Sequence, residues 1–346
     1  MKGATRFLFF GIGLALAVTA GFFVFLWQRP DFFALTSESQ KIFPGPFPIA
    51  TKFDGILPQE SGQLTLPPLG VMLENEIMAR PWQKGLAKAD IVYEAPTEGG
   101  ITRFLAIFFP GNYPEKMGPI RSARSYYLDW AREYNAVYAH VGGHEDVLAR
   151  LMREPVYNAD QFLYDAYFRR ENVGKTALEH TMFSTGEKME KLIRDKKWTW
   201  NVPVYASEKT EFSKITLASF PPAQNIAINF GYPTYNVSYQ YDPVANRYLR
   251  FLAKKPHMDH LHEEQIAPAI VVIQKLKSWS NGDIAGTISM QTIGEGEAAV
   301  FEGGRMIEAR WKKDSLTGPT KFFDTKNGGE IPFPNSPIWI EALGST

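Results

Sequence analysis

Within "GPIRSARSYYLDWAREYNAVYAHVGGH", residues 118–144, stand two arginines three positions apart, two histidines and a Gly-Gly pair. Arginine's planar guanidinium presents a fork of donors that matches phosphate or carboxylate. Histidine exchanges a proton near neutral pH. A Gly-Gly turn lets backbone approach a ligand closely. Together Arg121, Arg124, His140, Gly142 and Gly143 suggest an anion site with a proton-transfer group at hand. A nearby stretch, "EAPTEGGITR", adds Arg103 and a carboxylate, Glu98. The competing reading is internal pairing of the arginines with Glu94, Glu98 or Asp129, and both readings stay open at this level. His144, followed by Glu145 and Asp146, reads as a solvated helix start.

"PHMDHLHEE" gathers His257, Asp259, His260 and His262 with two glutamates. These are suitable metal ligands, but no H-E-x-x-H helix pattern accompanies them. A polar loop is expected there, with no metal and no cofactor. Ser184 and Thr185 precede a helical pattern and read as caps rather than nucleophiles. No G-x-S-x-G elbow is present.

Such groups need elements to hold them. Apolar runs at Val71–Leu73, Ile91–Tyr93, Phe104–Phe109 and Ala136–Val141 read as buried strands. Helical periodicity covers Ser122–Tyr134, His144–Met152 and Gly186–Lys197. If Ser122 or a neighbour opens the first of these helices, Arg124 lies in its first turn, where a bound anion would complement the helix dipole. From "NIAINF" onward the pattern changes to short runs rich in β-branched and aromatic residues, separated by turns such as "NGD" and "EGG". The expected fold class is α+β. A layered α/β domain over 66–205 precedes a mainly antiparallel β domain over 224–343, with the break between Asn201 and Pro222.

Phe7 to Trp27 is uncharged and apolar apart from Thr19, long enough to cross a bilayer. Lys2 and Arg6 precede it, which favours a cytoplasmic N-terminus with the bulk of the chain outside. A membrane anchor over 1–28 is expected, with signal-peptidase cleavage after Ala20 as the competing reading. Residues 29–65, rich in Pro and Gly, read as a stalk. The chain has no cysteine, which excludes disulfides, thiolate metal sites and thiol nucleophiles. Lys plus Arg and Asp plus Glu both number 37, so no general nucleic-acid surface is expected.

"ARPWQKGLAKADIVYEAPTEGGITRFLAIF", "EKMGPIRSARSYYLDWAREYNAVYAHVGG" and "ALEHTMFST" resemble the N-terminal domain of the YerB-like bacterial lipoprotein family. "YDPVANRYLRF", "KPHMD" and "GEGEAAVFEGGRMIEARWKKDSLTGPTKFFD" resemble its C-terminal domain. The resemblance implies a two-domain architecture and an envelope location, and no reaction. It also implies that His180, in "EHTMFST", converges on the same cleft. This chain lacks the lipidated cysteine of lipoprotein members, and an uncleaved helix would do the same anchoring. "ADIVYEAP … FLAIF … IRSAR … YAHVGG" is similar, over less of the chain, to the LytR-CpsA-Psr phosphotransferases. Their arginines hold a polyprenyl pyrophosphate. The usual Arg-Asp pairing is replaced here by Arg121-Ser122-Ala123-Arg124.

These readings combine into a single-pass envelope protein. Its cleft of Arg103, Arg121, Arg124, His140, Gly142, Gly143, His180 and Glu98 would bind an anionic ligand, with a phosphate-bearing cell-wall glycan or precursor as candidate. The alternatives are a transferase or hydrolase of phosphate-linked glycans, with a histidine or Glu98 moving the proton, and a non-enzymatic scaffold.

Overall fold

The structure is a computed structural model that describes residues 66–174, 176–199, 216–333 and 336–345. The expected anchor, the stalk and most of the expected Asn201–Pro222 break lie outside these residues. Among the described residues no helix is long and apolar enough to cross a membrane.

The first segment supplies strands β1 (Leu69–Glu74), β2 (Ile91–Pro96), β3 (Thr102–Phe108), β4 (Val137–His140) and β5 (Asn158–Asp160), then a short hairpin of β6 (Arg169–Arg170) and β7 (Met182–Phe183). Its helices are α1 (Ser125–Glu133), α2 (Glu145–Arg153) and α3 (Gly186–Asp195). The second segment gives β8 (Asn225–Ile228), β9 (Val237–Asp242), β10 (Arg247–Leu252), β11 (Lys255–Pro256), β12 (Met258–Asp259) and β13 (Glu264–Gln265). It continues with β14 (Ile270–Ser280), β15 (Ile288–Met290), β16 (Gly294–Glu302), β17 (Arg305–Lys313), β18 (Lys321–Asp324) and β19 (Ile338–Ser345). The described residues are α+β, with few helices, one large mixed sheet and smaller antiparallel ones.

Both segments build the large sheet. Its order is β18-β17-β16-β14-β19-β2-β3-β1-β4-β5, with β15 on the far end of β14. The last strand, β19, runs parallel to β14 on one side and to β2 on the other. Strands β1, β4 and β5 are mutually parallel neighbours. At β16–β17 the "EGG" turn closes a two-residue hairpin in which Glu302 faces Arg305. Gly303 and Gly304 there have φ of 55° and 70°, the left-handed region that such a turn requires.

Strand alternation divides the core between the two faces of the sheet. Met72, Tyr93 and Leu105 pack with Tyr126, Tyr127 and Trp130 of α1. Val71, Leu73, Val92 and Phe104 pack on the other face with Met189, Leu192 and Ile193 of α3. Strands β8–β10 cover Val271, Ile273 and Phe301 through Tyr239, Tyr248 and Leu252. Burial on both faces explains why β1 reads as a continuous apolar run rather than an alternating one.

Candidate functional site

Chain segments leaving β4 and β5 build the site. The RSAR segment lies alongside the turn after β4. Ala123 N–H donates to Gly142 O at 2.9 Å, and Val141 N–H donates to Arg121 O at 3.0 Å. The contact is tight. A Cβ on Gly143 would meet Val147 Cγ1 at 2.8 Å and Ala123 Cβ at 3.3 Å, so small residues are needed on both sides. From β5, Asp160 Oδ1 accepts the backbone N–H of Gly142 at 2.9 Å and of Phe162 at 3.2 Å, tying the two turns together.

Between these turns opens a cavity of about 520 Å³. Arg121, Ser122, Gly142 and Gly143 form one side, and Asp160, Phe162, Arg170 and Glu179 contribute the rest of its polar and aromatic lining. It sits at the carboxyl ends of parallel strands, where open α/β sheets gather ligands. Arg121 Nε faces Glu74, and its Nη1 donates to Glu179 O at 3.3 Å. Arg170, which is exposed, donates from Nη1 to Thr181 Oγ1 at 3.3 Å.

The sequence-predicted residues divide between this cavity and its support. Arg121, Gly142 and Gly143 line it. Arg124, Arg103 and Glu98 do not. Arg124 has extended backbone (φ −138°, ψ 151°) and precedes α1 instead of sitting in its first turn. Its Nε donates to Glu98 Oε2 at 2.9 Å and its Nη1 to Ala123 O at 2.6 Å. Arg103 Nη2 reaches Glu98 Oε1 at 3.2 Å. Glu98 is thus held between two guanidiniums, and internal pairing accounts for all three residues.

His140 is fully buried, and neither it nor His180 lines the cavity. The His140 ring lies between Gly142 O at Nδ1 and Asn158 Oδ1 at Nε2, each at 2.8 Å. Burial pushes its pKa below the usual value, outweighing the pull of Asp160. Gly142 O can only accept, so the His140 Nδ1–H donates to it. His140 therefore fixes the glycine turn. His180 Nδ1 lies 3.2 Å from Glu74 Oε2, and that hydrogen bond raises its pKa. Burial acts to raise the pKa of Glu74, but His180 and the Arg121 charge hold it below the usual carboxylate value. The triad Arg121–Glu74–His180 braces one wall from behind.

Asp160, Phe162, Arg170 and Glu179 carried no local signal of a site. Their convergence depends on the β4–β5 pairing and on the position of the β6–β7 hairpin. Thr185, read as a cap, does cap α3: its Oγ1 accepts from Lys188 N–H at 3.1 Å.

The histidine-rich stretch disperses. His257 Nε2 faces Gln83 Oε1 at 2.8 Å, His260 faces Glu263 at 2.9 Å, and His262 lies 3.6 Å from Glu115. Asp259 accepts backbone N–H groups from Gly85, Ala87 and Leu261. "PHMD" therefore fastens the second segment to the first. Among the described residues no group of three or more such side chains could hold a metal ion.

Comparison with known proteins places this geometry in a family. Residues 54–199 match the N-terminal domain, and residues 226–340 the C-terminal domain, of a protein family of unknown function, DUF3048. The chain belongs to the DUF3048 family. It is 28% identical over 282 residues to the "Putative lipoprotein YerB" of Bacillus subtilis (strain 168), covering 80% of this chain and 81% of that one. The crystal structure of the YerB protein from Bacillus subtilis superposes with a TM-score of 0.69 at 25% identity, covering 82% of this chain and 93% of that one. This DUF3048 protein thus shares its fold and both of its segments with YerB.

Proposed function

We propose that this protein works on the outer side of the membrane, anchored by its N-terminal apolar run, and binds an anionic envelope ligand in the cavity beyond β4 and β5. A phosphate-bearing glycan or its precursor is the candidate. The observation that carries the reading is the meeting of Arg121 and Arg170, from separate parts of the chain, in one cavity beside a glycine turn. The lipoprotein name of YerB supports the location. Binding is favoured over transfer or hydrolysis because the expected proton-transfer groups are engaged elsewhere. His140 is buried and held by Gly142 O and Asn158, His180 backs Glu74, and Glu98 is clamped by two arginines.

Arg170 is exposed, so its removal tests binding with little effect on folding. Titration of the full chain with inorganic phosphate at low salt should show saturable binding. Arg170→Gln should weaken it about ten- to a hundredfold, the equivalent of one charge-assisted contact of roughly 1.5–3 kcal/mol. Equal phosphate affinity in the two proteins would remove Arg170 from the reading, and absence of binding in the parent would reject it.

A further inference from the structure

We infer that Phe162 forms a saccharide subsite beside these arginines, so that the ligand is a sugar phosphate gripped by its ring face as well as by its anion. The inference rests on the anion-binding reading above and adds the residue that holds the ligand's saccharide half.

Phe162 is 71% exposed, although it lines the cavity. It is not a loose surface side chain. Its backbone N–H is held by Asp160 Oδ1 at 3.2 Å, and the turn beyond it closes through Leu163 and Tyr164 N–H groups, both 3.0 Å from Asp160 O. One ring edge rests on the turn after β4: a Cβ on Gly142 would lie 2.9 Å from Phe162 Cε2. Gly142 has φ 56°, a conformation that side-chain-bearing residues rarely adopt. The ring thus touches the Gly142 turn along one edge while most of its surface stays exposed. A preset aromatic surface binds with little loss of side-chain freedom.

The charges beside the ring narrow the ligand class. The lining residues include two arginines, Arg121 and Arg170, and two acidic residues, Asp160 and Glu179, with Asp160 Oδ1 already accepting from the Gly142 and Phe162 N–H groups. A bare anion would be attracted by the first pair and repelled by the second. A sugar phosphate resolves the conflict. Its hydroxyl groups donate to carboxylate oxygens, its phosphate takes the guanidiniums, and the C–H face of its ring lies on the aromatic surface. A nucleobase would also stack, but its flat edge offers fewer donors to the two carboxylates.

Glucose 1-phosphate, inorganic phosphate and methyl glucoside serve as probes on the full chain at one ionic strength. Glucose 1-phosphate should bind about tenfold more tightly than inorganic phosphate, with methyl glucoside the weakest. Phe162→Ala should abolish that advantage while leaving phosphate affinity unchanged, and Phe162→Trp should keep it. Equal affinity of the parent for the two anions, or an advantage that survives Phe162→Ala, would overturn the saccharide subsite and leave the anion reading standing. Failure of both anions to bind would overturn the two together.

Discussion

Replacing Arg250 with Met should cost about 3–5 kcal/mol of stability, because it leaves a buried carboxylate without its cation. Arg250, Glu94 and Glu341 are all fully buried where the two segments meet. Arg250 Nη2 pairs with Glu94, its Nε donates to Tyr239 Oη at 3.1 Å, and its guanidinium stacks 4.5 Å from the centre of the Trp339 ring. Glu94 Oε1 also accepts from Thr102 Oγ1 at 2.5 Å and Asn75 Nδ2 at 3.1 Å. Glu341 stands opposite Glu94 in the β19–β2 register, so two carboxyl groups share one arginine. Burial, together with the neighbouring Glu94 charge, pushes the Glu341 pKa well above its ordinary value. The folded state therefore holds a proton that the unfolded chain releases above about pH 4.5. The stability tied to that proton is complete below the unfolded pKa and is lost as pH rises through the folded one. Glu341→Gln mimics the protonated form. Denaturant unfolding across pH should show Arg250→Met strongly destabilised, and Glu341→Gln close to the parent below about pH 4.5 and increasingly more stable than it as pH rises above that. A Glu341→Gln protein as unstable as Arg250→Met would show that Glu341 works as an anion.

Local signals carried much of this architecture. The three α-helices among the described residues match the periodic stretches read for them, with α2 running one residue past its expected end to Arg153, and the buried runs at Val71, Ile91, Phe104 and Ala136 are strands. Thr185 caps because a short hydroxyl before an amphipathic run satisfies a free N–H whatever the tertiary fold. Partner choice was not legible. Arg124 pairs with Glu98, 26 positions away, and Arg250 with Glu94, 156 positions away. Nothing in the sequence around Arg124 distinguishes a clamp on a carboxylate from a clamp on phosphate, because both use the same fork. "RSAR" and "HVGGH" do form adjoining walls, joined through Ala123 and Gly142. Only Arg121 of the two arginines lines the cavity, while Asp160 and Phe162 come from the end of β5 and Arg170 and Glu179 from a hairpin whose position no local pattern encodes.

The final strand raises the same problem on a larger scale, and deleting residues 338–346 should abolish cooperative folding. Sequence pattern places Ile338–Ala342 at the end of a β-rich segment, yet β19 sits between β14 and β2 in the middle of the large sheet. Its removal strips one ladder from each neighbour and leaves two unpaired strand edges facing each other across a gap. It also empties the positions of Ile338, Trp339, Ile340 and Ala342, all buried. Truncating one such Trp costs about 3–5 kcal/mol and one such Ile about 2–5 kcal/mol. Together these losses match or exceed the roughly 5–15 kcal/mol that holds a typical domain folded. For the same reason the first segment alone leaves one side of β2 without its neighbour, although its helices and other strands are complete. Urea unfolding followed by far-ultraviolet circular dichroism is the measurement. The truncated chain should give no sigmoidal transition, whereas Trp339→Ala should keep one at lower urea. A cooperative transition in the truncated chain close to that of the parent would mean that β14 and β2 can close on one another, and that β19 is not the strand joining the two segments.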